Sequence, residues 1–421
     1  MSFQSKDNMS KILTSSFQNE GLLLDEVLVQ LLENLWTDPN IPLFYDRQYP
    51  ATTRSQITTW LKSKPGPKSV LCYWAKCFDW AVKFYMAYKA ERPKFLVSAS
   101  TPHQAKWYIR LRVAESLEIP IYIFQTSRIQ GYSYLCLGLQ REAKRLDDFR
   151  TPDKRYITEA QSYLGRCKAK YMDAIPFYER ERIIRQKGKL FRPTRLIKDF
   201  WYKPEIINNT WKCWKALERN SVSLSRVGKK KCAIFYLHYQ PERTTLPEGY
   251  GFTQQLRAII TLRSALPSDF VLLVKEHPSI FTNICSPTAR DVDFYEAIAR
   301  LPGVSWVNIK TDNFELIDSS CLTASICGTV NTESLIRGRP TVIFGIKKFQ
   351  KVKGQHFYKS LPHLKQFVSH VRLGRYGAKE ISSDVESSIL NDASCVVPRA
   401  AISTDEDRKK CVSELIAGNG Y

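Results

Sequence analysis

From residue 229 onward, short apolar runs alternate with stretches of helical periodicity, and this alternation limits the possible folds more than any other feature. "KKCAIFYLHYQ" predicts a strand, "TQQLRAIITLRSALP" a helix ending at Pro267, and "FVLLVKEHP" a second strand. "RDVDFYEAIARLPG" predicts a helix stopped at Pro302-Gly303, "VSWVNI" a third strand and "DNFELIDSS" a short helix. "CLTASIC" follows as a fourth strand, "NTESLIRG" as a helix closed by Gly338, and "PTVIFG" as a fifth strand. Strands that alternate with helices in this way form a parallel, doubly wound sheet, because parallel strands need crossover connections.

The first half carries one unit of the same kind. "KFLVSAST" reads as a strand, "PHQAKWYIRLRVAESLEI" as a helix and "PIYIFQTS" as the next strand, among helical segments at 20–36, 74–91 and 153–187. The expected fold is therefore α/β, with a Rossmann-like domain over 1–228 bearing extra helices, a second over 229–370, and a helical tail over 371–421. A chain of 421 residues suits two domains of roughly 100–200 residues, with connections to spare.

In such a sheet, ligands bind outside the carboxyl ends of the strands. The predicted first strand ends in Gln240-Pro241-Glu242 and the second in Lys275-Glu276-His277-Pro278. Alternation along a strand puts Lys275 and His277 on one face, and Pro278, lacking an N–H, ends the ladder. Two potential cations at that edge suit an anion, most simply a phosphate. The fourth strand leads through Cys327 to Gly328 and Thr329, where a glycine admits a close approach and the first turn of a helix offers N–H groups. Glu333 shares the helix face of Thr329 and could accept hydrogen bonds from a ribose diol. Ser319 and Ser320 are further candidates for phosphate contact. In the first half, His103 follows a strand end and could face the crevice from the other domain.

Other features point elsewhere or exclude. The Asp291-Val292-Asp293 triplet opens a helix, which reads as capping and not as the metal-binding D-x-D of some sugar transferases. The G-x-x-x-x-G-K-[ST], G-x-S-x-G and G-x-G-x-x-G patterns are missing, against P-loop enzymes, α/β-hydrolases and dinucleotide oxidoreductases. Eleven cysteines without a C-x-x-C pair read as reduced, buried hydrophobes, and no metal site is expected. The start "MSFQSKDNMSK" lacks a signal-peptide core, and no apolar run approaches ~18 residues, so a cytoplasmic protein is expected. The net charge of +22 calls for an anionic partner. Residues 178–203 concentrate it, with nine basic and three acidic residues beside Phe191, Phe200, Trp201 and Tyr202, a composition suited to peripheral docking on an anionic membrane surface.

The stretch from "YLHYQPERTTLPEGYGF" through "FVLLVKEHP" and "FYEAIARLPGV" to "ELIDSSCLTASICGTVNTESLIRGRPTVIFG" resembles the bacterial capsular polysaccharide biosynthesis proteins, relatives of the capsule transferases that use CMP-activated Kdo. The similarity spans about residues 233–346 and extends weakly to 97–124. It implies a GT-B glycosyltransferase, two Rossmann-like domains facing across a cleft. It also implies that His277 contacts the donor phosphate and leaving group, Gly328 and Thr329 form the phosphate loop, and Glu333 holds the ribose. Asn331-Thr332-Glu333-Ser334 stands where the family more often has a small residue and Glu-Ala. His103 or Glu242 would deprotonate the acceptor, a saccharide or glycolipid. Lys275, Glu276, Pro278, Gln240, Ser319 and Ser320 would complete the donor site. No cofactor beyond the nucleotide-sugar is implied, and a one-phosphate donor needs no bridging metal. A CDP-polyol phosphotransferase, an NDP-hexose transferase, an inactive scaffold of the same fold and a basic nucleic-acid-binding protein are the alternatives, although no specific nucleic-acid partner is expected.

Overall fold

The computed structural model describes residues 25–41, 44, 67–139, 144–146, 152–169, 204–227, 230–240, 243–277, 280–281, 290–346 and 351–419. The chain divides into two compact units. One draws on Met1–Gln125, Ser133–Leu146 and Pro398–Tyr421, the other on Thr126–Tyr132 and Asp147–Val397. This differs from the division expected at 228/229. Helices that precede that point pack with the second unit, and the last stretch of the expected tail returns to the first.

The first unit opens with α1 (Glu26–Thr37) and α2 (Pro67–Glu91), followed by β1 (Leu96–Ser98), α3 (Ala105–Ser116) and β2 (Ile121–Thr126). Strands β1 and β2 are parallel, so β1-α3-β2 is the Rossmann-type crossover the sequence predicts. β3 (Tyr132–Leu137) neighbours β2 after a short connection, and β4 (Lys144–Arg145) runs antiparallel to β3. Asp25 caps α1 by accepting from the Leu28 amide, and its carboxylate also takes the Tyr85 hydroxyl and the Lys89 ammonium of α2. These bonds, the Lys89 bond foremost, hold its pKa down at about 2.

The second unit begins with α4 (Lys154–Lys168), α5 (Pro204–Asn220), β5 (Ser221–Val222) and α6 (Leu224–Val227). The predicted alternation follows: β6 (Lys231–Tyr236), α7 (Gln255–Ala265), β7 (Phe270–Lys275), α8 (Val292–Ala299), β8 (Val304–Val307), α9 (Asn313–Ser319), β9 (Leu322–Ser325), α10 (Val330–Ile336) and β10 (Thr341–Ile343). β11 (Gln355–Phe357), α11 (Leu361–Arg372) and α12 (Ala378–Asn391) complete it, and α13 (Asp405–Asn419) belongs to the first unit.

The seven strands lie in the order β11-β10-β9-β6-β7-β8-β5, and every described pairing among them is parallel. Alternate residues of β6 serve opposite faces. Ala233 and Phe235 join a core with α5, α7, α8 and α11, whereas Cys232, Ile234 and Tyr236 pack with α9 and Val330 of α10. Both faces are thus covered, which is why β6 and β7 read as unbroken apolar runs. Capping sets the helix starts: Asp291 accepts from the Phe294 amide, and Asp312 from those of Phe314 and Glu315. The Asp291-Val292-Asp293 triplet is therefore a helix start, as its sequence context predicts. Gly338 ends α10 with φ +71°, against Ala378, where a Cβ would lie 2.7 Å from that residue's Cβ and carbonyl oxygen.

Candidate functional site

From β6 the chain winds outward through β7 and β8, then returns to the other side of β6 to lay down β9, β10 and β11. This is the dinucleotide-fold strand order, and the reversal between β6 and β9 is its topological switch point. In sheets of this order ligands bind outside the carboxyl ends of the strands, beside this reversal. Residues 237–240 follow β6 there and residues 326–329 follow β9.

On the β6 side, His238 is buried at 7% exposure. Its backbone is clamped by Gln255, whose Oε1 accepts from the His238 amide at 2.7 Å and whose Nε2 donates to the His238 carbonyl at 3.0 Å. Its imidazole crosses to the β9 loop, where Nε2 accepts from the Cys327 amide at 3.2 Å. An accepting Nε2 is unprotonated, so the neutral ring carries its proton on Nδ1. The ring lies against Gly328: a Cβ at that position would meet Cε1 at 3.3 Å and Nε2 at 3.4 Å. The space the glycine leaves is thus filled by His238, where the sequence suggested a phosphate.

The β9 loop is fixed from below by a buried polar chain. Ser325 Oγ accepts from the Gly328 amide at 3.0 Å and from Asn331 Nδ2 at 2.8 Å. Asn331 Oδ1 in turn accepts from Thr341 Oγ1 at 2.8 Å, and Thr323 Oγ1 donates to Thr341 Oγ1 at 3.0 Å. The Asn331-Thr332-Glu333-Ser334 departure therefore has a structural use, since Asn331 ties α10 to two strands. Thr329 stands at the α10 N-cap without a side-chain capping bond. Glu333, half-buried, lies beside α4. Burial raises the Cys167 thiol to about 12 and the Tyr163 hydroxyl well above its usual value, and the Glu333 carboxylate pushes both further.

The end of β7 corrects two expectations. Lys275 is 2% exposed, and its ammonium donates to the carbonyls of Asn308, Ile309 and Thr311 at 2.9, 2.7 and 2.8 Å. All three N–H groups are spent on the loop after β8, and none remains for an anion. Burial pushes its pKa down to about 7, with Asp312 acting against that. Glu276 is fully buried. Oε1 accepts from the His277 amide at 2.7 Å, and Oε2 from Arg290 Nε and the Tyr295 hydroxyl, both at 2.9 Å. Neither side chain is placed to touch a donor.

Arg290, which the sequence reading passed over, joins these loops. It is 1% exposed, donates from Nη1 to Gln240 Oε1 at 2.8 Å and from Nη2 to the His238 carbonyl at 3.1 Å, and stacks over Phe294. Gln240 passes the link on, its Nε2 donating to the Thr253 carbonyl at 2.6 Å. Both functional ends of the Gln240 amide are engaged by protein. One buried guanidinium thus fixes the β6 loop and, through Glu276, the backbone at His277.

His277 is half-buried beside the β6 loop, its ring centroid 6.3 Å from that of Tyr239. Ser319 Oγ and Ser320 Oγ donate to the carbonyls of Leu316 and Ile317, closing α9 from within, which corrects their expected phosphate role. His103 is exposed in the first unit, ahead of α3. Glu242, Pro278 and the basic segment 178–203 lie outside the described residues. Also missed was Glu248, fully buried, with Arg243 Nε 3.2 Å from its Oε1. Among the described residues no group of three or more His, Cys, Asp or Glu is placed to hold a metal, and no helix is long and apolar enough to cross a membrane.

No protein-family model matches the chain, and no curated protein matches it. Among solved structures it is similar to the β-Kdo 2,7 transferase KpsC of Thermosulfurimonas dismutans, at 10% identity over 68% of this chain and 79% of that one, with a TM-score of 0.32. HepE of Anabaena, in complex with UDP-glucose, gives 10% identity over 79% and 68%, TM-score 0.32. The UDP-GlcNAc 2-epimerase of Neisseria meningitidis gives 9% over 98% and 96%, TM-score 0.23. Likeness at this level establishes neither activity nor substrate for this chain.

Proposed function

We propose that the chain is a GT-B-type glycosyltransferase of surface-polysaccharide synthesis that takes a sugar, Kdo-like, from a CMP-linked donor to a saccharide or lipid-linked acceptor. The observation that carries this reading is the topological switch point of a Rossmann-ordered sheet, where the His238 and Cys327–Thr329 loops meet and His277 lies beside Tyr239. The order of Q-P-E, K-E-H-P and G-T-x-x-x-E along those strand ends resembles that of the capsule polysaccharide proteins, which supports a nucleotide-sugar as the ligand. In the proposed reaction, charge develops on the departing nucleotide phosphate as the glycosidic bond breaks. His277 donates to that phosphate. Preorganised donors of this kind stabilise the transition state more than the ground state. Glu333 binds the donor ribose. The base that deprotonates the acceptor hydroxyl comes from His103 or Glu242. The basic segment 178–203 keeps the enzyme at an anionic membrane surface, where a lipid-linked acceptor resides.

The test is a thermal-shift screen of CMP, CDP, UMP, UDP and GMP, followed by turnover of CMP-Kdo and of CDP-glycerol. The expected result is a selective shift by cytidine nucleotides and release of CMP. Equal shifts by all nucleotides, or none, overturn cytidine recognition. Turnover of CDP-glycerol alone transfers the reading to a polyol-phosphate transferase.

A further inference from the structure

We infer that Arg243 is a ligand-binding residue of the second unit: its guanidinium, steadied by Glu248, meets a phosphate oxygen of the nucleotide-sugar. This deepens the proposed function and rests on it for the identity of the ligand. Arg243 lies in the turn between β6 and α7. That turn is tied to the loops that follow β9 and β10. The Thr244 carbonyl accepts from the Cys327 thiol at 3.1 Å, and the Glu248 carbonyl from the Ile346 amide at 2.9 Å. Within the turn, Thr253 Oγ1 donates to the Thr245 carbonyl at 2.8 Å. The backbone that carries Arg243 is thereby fixed at the carboxyl edge of the sheet, where ligands of such folds bind.

Arg243, Lys275 and Arg290 all bring charge to that edge, but their commitments differ. Lys275 gives its three N–H groups to carbonyls, and the buried Arg290 donates from Nε, Nη1 and Nη2 to Glu276, Gln240 and His238. The Arg243 side chain is 25% exposed. Its Nη2 donates to Oγ1 of Thr126, a residue of the same unit, at 3.2 Å, and its Nε lies 3.2 Å from Glu248 Oε1. Among the described residues no protein group accepts from Nη1, and that atom is not buried. The contact with Glu248 also differs from that of a plain counter-ion. A guanidinium that only neutralises a carboxylate commonly presents two parallel N–H groups to it, whereas here Nε approaches Oε1 without the alignment of a hydrogen bond. The fully buried Glu248 thus holds the charge from the inner side and leaves Nη1 turned to other use. A planar guanidinium suits phosphate oxygens better than an ammonium does.

The experiment titrates the full-length wild type, Arg243→Gln, Arg243→Lys and Arg243→Gln/Glu248→Gln with CMP, UDP, cytidine and uridine in a calorimeter. Arg243→Gln strands the buried Glu248 carboxylate, so the double variant, which removes both charges together, serves if the single one does not fold. Nucleotide affinity should fall about 10–100-fold in Arg243→Gln and in the double variant, the range for one lost hydrogen bond to a charged group. Nucleoside affinity should stay unchanged, and Arg243→Lys should retain part of the nucleotide affinity, since it keeps the charge and loses the planar donor. A folded Arg243→Gln or double variant that binds nucleotide as the wild type does overturns the assignment and leaves the proposed function standing. Nucleoside affinity that falls by the same factor also overturns it, because the defect then lies away from the phosphate. A wild type that binds neither CMP nor UDP overturns the proposed function and the assignment together.

Discussion

At the carboxyl end of β7, Lys275 and Glu276 commit their hydrogen-bonding groups to protein atoms: three carbonyls for the ammonium, and an amide, a guanidinium and a phenol for the carboxylate. At the carboxyl ends of β6 and β9, one imidazole spans two loops that the strand order drives apart. Both regions are rich in polar residues, and both end apolar strands. In the first, charge is consumed in holding loops together. In the second, a small number of bonds join the loops at the switch point of the sheet. Charge at a strand end therefore says little about binding until its partners are counted, and topology is the better guide to where a ligand fits.

The largest effect that would break this comparison is expected at Arg290. Replacing it with methionine leaves the fully buried Glu276 without its counter-ion, and loss of one partner of such a pair costs about 3–5 kcal/mol. Urea unfolding of Arg290→Met should show this, and Arg290→Met/Glu276→Leu should recover much of it. A double variant no better than the single one would mean that Arg290 acts through Gln240 and His238 instead. Next comes His277→Ala, which should fold with an unchanged unfolding midpoint and lose about 100-fold or more in turnover of the nucleotide-sugar. Near-normal turnover would move the chemistry away from β7 altogether.

Lys275→Met should cost about 1–3 kcal/mol, through carbonyls left unsatisfied, while nucleotide affinity stays unchanged. A pH series sharpens this. The folded lysine sits at about 7 against 10.5 for an ordinary one, so from pH 7 to pH 10 the unfolded chain holds a proton that the native state has released. Wild-type stability relative to Lys275→Met should therefore rise across that window and level off below pH 7. A flat difference would show that the three carbonyls keep the ammonium charged. The smallest effect is expected from Asp291→Ala, about 1 kcal/mol for a lost helix cap. Loss of activity beyond this, reversed by added manganese, would revive the D-x-D reading.

The strands of the second unit were legible because burial on both faces writes itself as continuous apolar sequence. β5 and β11 were not, since edge strands of two and three residues leave no period to detect. In the first unit β3, "YSYLCL", passed unnoticed beside its clearer neighbour β2. The site was half-legible. Strand-end motifs pointed to the carboxyl edge of the sheet, but not to which polar residues face outward. Arg290 meets partners 14, 50 and 52 residues away, so no local pattern announces it. Lys275 misled because alternation assigns a face and says nothing about whether a neighbouring loop covers it.

The first unit is assembled from three separate stretches of chain, with all of the second unit except Thr126–Tyr132 lying between the last two. Within it, Arg399 Nε reaches Ser133 Oγ at 3.3 Å, and α13 packs against β1. On the ribosome this reverses the usual vectorial order. The second unit emerges as one nearly continuous segment and can close its core during synthesis. The first unit must wait, its β1-α3-β2 crossover partly uncovered, until residues 398–421 are made. Cutting the chain at 397 would consequently not trim a tail: it would remove one of the three stretches from which the first unit is built.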